Sequence, residues 1–560
     1  MIILRLDNVS YTHPGGPGVQ NLSWAIADDA RLGFVGPNGA GKSTILNLLA
    51  GRLPPASGFV VTAKGASVGY LPQEVRLDPL HTVLIEAMTA SARLAAIEAD
   101  LEKVTRSMED PAVYDDEKAL ARALDQQQRL LTAYAEAGGR QYENSVKATL
   151  RQLGFDDSDF DLSTAALSGG QKKLLALAKL AVNRPACLLL DEPDNHLDLA
   201  GKVFLEKFIR GYAGAVVIVS HDRYLLDEVA DNIVELEGGK LNFYTGNYTA
   251  YAAERELRRL RQAQMHAAQQ KEISRLEAAI TRMELWASLV NPRASNRRHV
   301  IQARNKRRQI ERMDKVDAVV EQRTMGLELE GWRGSSKVLE IIDLVKAFDD
   351  ELVLAGVNLL LWHGERVGLV GPNGAGKSVL FRCITGALQP TSGVVKIGPS
   401  VKMGVYTQEH QSLDYSKTLV EMVREVKPMY EREAAAFLTQ FLFEWKRAHE
   451  QTVGSLSGGE RSRLQMALLM LQQPNFLLLD EPTNNLDIAS CEVLERALDD
   501  FEGTVLVISH DRYFLDQTVD RIVELDPDQG ALVNYTGGYT DYLEARGLRS
   551  SSASSATSRS

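Results

Sequence analysis

Short apolar runs that end in acid or histidine set the framework of the chain. Cys187-Leu188-Leu189-Leu190 runs into Asp191-Glu192-Pro193, and Phe476-Leu477-Leu478-Leu479 runs into Asp480-Glu481-Pro482. Runs like these, without alternation, predict strands buried on both faces of a parallel sheet. Val216–Val219 and Val505–Ile508 predict two more, each followed by Ser-His-Asp-Arg-Tyr. Met1-Ile2-Ile3-Leu4-Arg5 is expected to lead into a strand rather than a signal peptide. Between the halves the period changes. Leu257, Leu260, Ile273, Leu276, Ile280 and Met283 recur at near-helical spacing until Asn291-Pro292, and a second helical stretch runs to about Val320. The spacing predicts an antiparallel helical hairpin from about Tyr251 to Arg323, its tip near Leu289 to Ser295. Leu84 to Tyr142, rich in Ala, Leu, Glu, Arg and Gln, predicts two helices broken near Asp110-Pro111. Arg549 to Ser560, nearly all Ser, Ala, Thr and Arg, is expected to be disordered.

The chain is a tandem repeat. Lys42 and Lys377 are 335 residues apart, as are Gln73 and Gln408. Ser168 and Ser457, Asp191 and Asp480, and His221 and His510 are each 289 apart. The offset changes once, so the first copy carries 46 extra residues between Gln73 and Ser168.

Each copy opens with a phosphate-binding loop: Gly36-Pro37-Asn38-Gly39-Ala40-Gly41-Lys42-Ser43 and Gly371-Pro372-Asn373-Gly374-Ala375-Gly376-Lys377-Ser378. The glycines let backbone N–H groups turn inward on phosphate oxygens, the lysine neutralises the terminal phosphates, and the serine hydroxyl suits Mg²⁺. Thr44 follows in the first copy; Val379 takes its place in the second, with the metal-binding serine kept. Leu167-Ser168-Gly169-Gly170 and Leu456-Ser457-Gly458-Gly459 each precede a helical pattern, and a helix start of this kind suits a γ-phosphate. The acids after the Leu runs fall at the C-terminal ends of strands, where such sheets bind ligands. Asp191 and Asp480 are expected to support Mg²⁺, and Glu192 and Glu481 to polarise the attacking water. His221 and His510 are read as γ-phosphate sensors that stabilise the transition state. Gln73 and Gln408 are candidates for Mg²⁺ and the water, and Tyr11 and Phe348 for stacking on adenine.

Charge changes the picture locally. Lys and Arg number 63 against 74 Asp and Glu, a net charge of −11, so the molecule as a whole is no general polyanion binder. The second linker helix reverses this: Arg293, Arg297, Arg298, Arg304, Lys306, Arg307, Arg308 and Arg312 stand with Glu311 alone against them. Unbalanced, clustered positives predict contact with RNA phosphates. Trp286 and Leu289 near the tip are candidates for contact with the RNA partner or for packing. Cys187, Cys383 and Cys491 form no C-x-x-C pair, so neither a zinc cluster nor a disulfide framework is implied, and a reducing cytoplasm fits. No apolar run reaches the roughly 18–20 residues that span a bilayer.

This set of motifs resembles the ATP-binding cassette superfamily over nearly the whole chain. Two cassettes in one chain, a charged linker, Tyr244-Thr245-Gly246-Asn247-Tyr248 and Tyr535-Thr536-Gly537-Gly538-Tyr539 resemble its ABC-F branch. The resemblance implies an α/β fold of two tandem P-loop cassettes joined by a helical hairpin, with a helical arm in the first. Its boundaries would be a first cassette at 1–245 with the arm at about 84–142, the hairpin at 246–325, a second cassette at 326–545 and a tail at 546–560. It implies ATP and Mg²⁺ as cofactors, each ATP lying between one phosphate loop and the other copy's Leu-Ser-Gly-Gly. It further implies a cytoplasmic ATPase, monomeric off the ribosome, that binds rRNA, ribosomal proteins and tRNA near the exit-tRNA site. Such proteins modulate translation or protect against ribosome-targeting antibiotics. No membrane and no DNA partner is expected; the alternatives are a transporter's ATPase subunit and a DNA-repair ATPase. One departure stands out: Asp194 occupies the place usually held by Thr, adding a charge beside Glu192 that is expected to make the first site slower or asymmetric.

Overall fold

The computed structural model describes residues 1–12, 18–108, 117–289, 296–313, 326–327, 335–348, 351–407, 413–484, 486–526 and 530–546. The helix break at Asp110-Pro111, the hairpin tip at Asn291-Pro292, Arg293, Gln408 and the Ser-rich end lie outside them. So do the side chains of Trp286, Leu289, Arg297 and Arg298.

The continuous apolar runs become the centres of two six-stranded sheets. In the first, the order is Val68–Leu71, Cys187–Asp191, Ala215–Val219, Arg31–Val35, Asn232–Glu237, Lys240–Thr245. In the second it is Met403–Tyr406, Phe476–Asp480, Thr504–Ile508, Arg366–Val370, Arg521–Leu525, Leu532–Thr536. Five strands of each sheet run parallel and the last is antiparallel. Cys187–Asp191 and Ala215–Val219 are buried at every position, as strands covered on both faces must be. Each copy adds a three-stranded antiparallel sheet, centred on Ile2–Tyr11 in the first and Lys337–Phe348 in the second. The helix after each phosphate loop is packed into the core beneath these sheets, by Ile45, Leu46, Leu48 and Leu49 in one copy and Leu380, Phe381, Cys383 and Ile384 in the other. The loop is thereby fixed at the C-terminal edge of its sheet.

The insertion is a pair of packed helices, Ala92–Met108 and Glu117–Glu136, with Leu94, Val104 and Ala123 buried. Val83–Met88, capped by Thr82, repeats as Leu419–Val426, capped by Thr418. Gly139–Gln152 likewise repeats as Glu431–Gln440. The inserted helices therefore fill a tighter range than 84–142.

Residues 249–324 form a second compact unit. Tyr248–Leu289 is one helix of 42 residues, about 60 Å long at 1.5 Å per residue. It is followed by Asn296–Arg312. Leu276, Ile280 and Ala303 are buried, and Arg307 bonds Glu284 at 2.7 Å across the pair. Leu257 and Leu260 are 50% and 53% exposed, so the apolar repeat serves as a seam only in its later part. Arg304, Arg307 and Arg308 are exposed, and Lys306 is half-buried. Among the described residues no helix is long and apolar enough to cross a membrane.

Candidate ATP sites

The strand Arg31–Val35 leads into the first loop, and the helix Lys42–Leu49 leads out of it. Gly41 caps that helix at φ 105°, a left-handed conformation that a side chain strains. Lys42 Nζ donates to the carbonyls of Gly36 at 2.7 Å and Pro37 at 3.1 Å. Lys377 Nζ does the same to Gly371 at 2.7 Å and Pro372 at 2.9 Å. Burial lowers both lysine pKa values, opposed by carboxylates among which Glu192 and Glu481 are foremost. Asp191 accepts from the Tyr70 hydroxyl at 3.1 Å, and Ser378 Oγ lies 3.4 Å from Asp480.

Glu192 and Glu481 both sit at φ 50°, uncommon for a residue with a side chain. Each is pinned by its own N–H, which donates to Val219 at 2.8 Å or Ile508 at 2.9 Å. The strain turns the carboxylate out of the strand line and toward the histidine of the next strand. His221 Nε2 lies 3.7 Å from Glu192 and His510 Nε2 lies 3.6 Å from Glu481. Burial, seconded by Lys42, pushes His221 down to about 3, and burial with Lys377 holds His510 well below the usual range. Both rings are therefore neutral at physiological pH, each with one nitrogen donating and one accepting. Burial raises Glu192, with help from Asp194 and Asp191, and burial with Asp480 pushes Glu481 up to about 8.

The copies meet head to tail. The Asn38 N–H faces Asp487 at 3.5 Å; that of Asn373 donates to Asp198 at 3.1 Å, while its side chain donates to the His196 carbonyl at 3.2 Å. One cavity of about 1160 Å³ takes in both sites. Its wall includes Lys42, Ser43, Thr44, Gln73, Glu192 and His221 with Ser457, Gly458 and Gly459. It also includes Lys377, Ser378, Asp480, Glu481 and His510 with Ser168 and Gly169. Ser168 and Ser457 cap their helices, accepting from the N–H of Gln171 at 3.2 Å and Glu460 at 3.4 Å. At Gly170 a Cβ would lie 2.5 Å from the His196 carbonyl, so only glycine admits this approach. Tyr11 and Phe348 stand at strand ends outside the cavity wall; Lys346 lies 4.9 Å over the Phe348 ring.

Contacts that the motifs did not reveal join the copies, through the arginine and tyrosine of each Ser-His-Asp-Arg-Tyr. Arg223 pairs with Glu495 and lies 4.0 Å over the Tyr513 ring; Arg512 pairs with Glu206 and lies 4.0 Å over Tyr224. The 289-residue offset relates Arg223 to Arg512 and Glu206 to Glu495, a sequence signal that could have flagged them. Among the described residues, Asp191 Oδ1, both ring nitrogens of His221, Glu481 Oε1 and His510 Nδ1 are buried without a hydrogen-bond partner. Unpartnered polar atoms beside the phosphate loops, carboxylate oxygens that accept and imidazoles that each carry one N–H, are groups that a nucleotide and its cation would satisfy.

The family model described as ABC transporter matches residues 19–195 and 354–484, and a companion model of the same description matches 234–328. The energy-dependent translational throttle protein EttA of Escherichia coli K12 is 36% identical over 94% of this chain and 92% of its own length. ABC transporter F family member 5 of Arabidopsis thaliana is 33% identical over 97% of this chain and 77% of its own. The archaeal ribosome recycling factor aABCE1, solved with the ribosomal stalk protein aP1, shares the fold at TM-score 0.60 and 19% identity, covering 96% of this chain and 92% of that one. By its matched domains and full-length relatives, the chain is an ATP-binding cassette protein of the F family.

Proposed function

We propose that this chain is an ATPase that works on the ribosome, closing its cassettes on ATP and reopening after hydrolysis. One observation carries the reading: a cavity lined by both phosphate loops and both Leu-Ser-Gly-Gly motifs, with an exposed basic helix beside them in the sequence, belongs to a chain alignable almost end to end with a translational throttle protein. One site would join Lys42, Asp191, Glu192 and His221 with Ser457; the other, Lys377, Asp480, Glu481 and His510 with Ser168. Ser43 with Asp191, and Ser378 with Asp480, would hold Mg²⁺, whose charge would neutralise phosphate oxygens. Glu192 and Glu481 would orient water, and the neutral histidines would donate to the γ-phosphate. Arg304, Arg307 and Arg308 would meet RNA phosphates, in the cytoplasm where ribosomes work.

The test is co-sedimentation of the Glu192→Gln/Glu481→Gln variant with 70S ribosomes. ATP-dependent retention, lost with ADP, is expected; no retention with ATP bound would point to a membrane or DNA partner. Neutralising Arg304, Arg307 and Arg308 should lower the salt slope of that binding by about two to three, since fewer counterions are released. An unchanged slope would mean these arginines face solvent.

A further inference from the structure

The 289-residue offset pairs three buried charges in the first half with neutral residues in the second: Lys173 with Ser462, Asp194 with Thr483, and Lys202 with Cys491. The three charges form one cluster. Asp194 favours the charged form of both lysines. Lys173 Nζ donates to the Glu192 carbonyl at 2.6 Å. Lys202 Nζ donates to the Asp222 carboxylate at 2.8 Å, and across the junction of the copies to the His510 carbonyl at 2.8 Å. Asp222 follows His221 and caps its helix through the Leu225 N–H at 3.0 Å. Lys202 thus links the histidine loop of one site to that of the other. Among the described residues Cys491 makes no such link in return: its Sγ lies 4.0 Å from the Thr483 carbonyl of its own half.

We infer that Lys202 is a positioning residue for the ATP site built on Lys377, Glu481 and His510, reaching it from the opposite cassette and joining the two histidine loops in one direction only. Its ammonium fixes the carbonyl of His510, whose N–H in turn donates to Glu481 at 3.3 Å. Holding the backbone on one side of the histidine fixes the ring and the carboxylate on the other. A buried lysine with two strong acceptors is costly to move, so the loop it holds is rigid when the cassettes are together. Burial and Asp222 raise the Asp194 pKa while Lys202 and Lys173 oppose that shift, so the unusual acid beside Glu192 stands in the same buried cluster as the two lysines.

The inference rests on the ATPase reading above, and the experiment separates the two. Single-turnover ATP hydrolysis is measured in Glu192→Gln and Glu481→Gln parents, each keeping one working site; hydrolysis by both parents establishes the ATPase reading independently. Adding Lys202→Met should slow the Glu192→Gln parent, which works through Glu481 and His510, by about tenfold with little change in the ATP concentration for half-maximal rate. The Glu481→Gln parent should slow several-fold less, because Arg512, 3.7 Å from Asp222, still faces the carboxylate beside His221 when Lys202 is gone. An asymmetry in that direction is one that general destabilisation would not produce. Equal losses in both parents, or none in either, would overturn the role of Lys202 while leaving hydrolysis standing. Should Lys202→Met fail to fold, Lys173→Ser/Asp194→Thr/Lys202→Cys carries the same comparison, because the second half already packs those side chains.

Discussion

Glu192 shares one carboxylate oxygen between Gln73 at 2.7 Å and Asn195 at 2.6 Å, whereas among the described residues Glu481 accepts one 3.3 Å bond from the His510 N–H and its other oxygen is buried without a hydrogen bond. The two sites use the same motifs and the same strained turn, yet their acids live in different surroundings. Behind Glu192 stand the charged Lys173, Asp194 and Lys202; the equivalent positions behind Glu481 hold the neutral Ser462, Thr483 and Cys491, and Glu481 itself is the more buried acid, its side chain 8% exposed against 15% for Glu192. A duplicated chain can keep its chemistry in both copies while letting the packing behind it diverge, so the copies need not work at equal rates.

Removing both acids tests what the sites have in common. Glu192→Gln/Glu481→Gln should cut steady-state hydrolysis by about 10²–10³-fold while ATP binding persists, as loss of a water-orienting group does. Turnover at the parent rate would remove both assignments and with them the premise of the comparison. The next largest effect lies in the arginine pairs. Arg512→Met should cost about 3–5 kcal/mol by stranding buried acid, and Arg223→Met should cost less. The reason is a difference between equivalent places: Arg512 also faces Asp222 at 3.7 Å and its side chain is 2% exposed, against 4% for Arg223. Denaturant unfolding of the two variants side by side checks the ranking; equal costs would mean that Asp222 is satisfied by Lys202 alone.

Much of this could be read from the residues. The Leu runs become the central strands because their composition leaves no polar face to expose, and both phosphate loops line the shared cavity as a repeated glycine-rich turn after a buried strand leads one to expect. The exposed Arg304, Arg307 and Arg308 follow equally directly from a helical period with unbalanced charge. What the residues did not show was partnership across the copies. In sequence Asp194 is an added charge beside Glu192, since Lys173 and Lys202 lie 21 and 8 residues away and join it only when the helices Gly169–Val182 and Leu199–Gly211 fold back beside the strand. Arg223 and Glu495 are 272 residues apart and have no motif in common. Val83–Met88 is as rich in apolar residues as the helices that follow, so its place with the cassette shows only in its repeat as Leu419–Val426.

The smallest effect is also the one that isolates Glu481. Its pKa is pushed up to about 8 by burial, so in the folded chain it holds its proton where the unfolded chain has lost it. The sign follows: below the unfolded value both states are protonated and there is no penalty; between that value and about 8 the unfolded state is the one released from a proton, and stability falls as pH rises. From about pH 6 to about pH 7 the slope is near one proton, about 1.4 kcal/mol, or roughly 2–4 °C in melting temperature for a domain of this size. Glu481→Gln deletes the titrating group, so the variant should gain on the parent by that amount as pH rises through the interval. The depressed histidines cannot mimic this, because a neutral buried histidine adds stability as pH rises, the opposite slope. Glu192→Gln should gain less over the same interval, because Gln73 and Asn195 donate to the charged form of Glu192. Equal gains would show that the partners of Glu192 do not distinguish the two acids in solution, and the contrast between the sites would then rest on Lys202 alone.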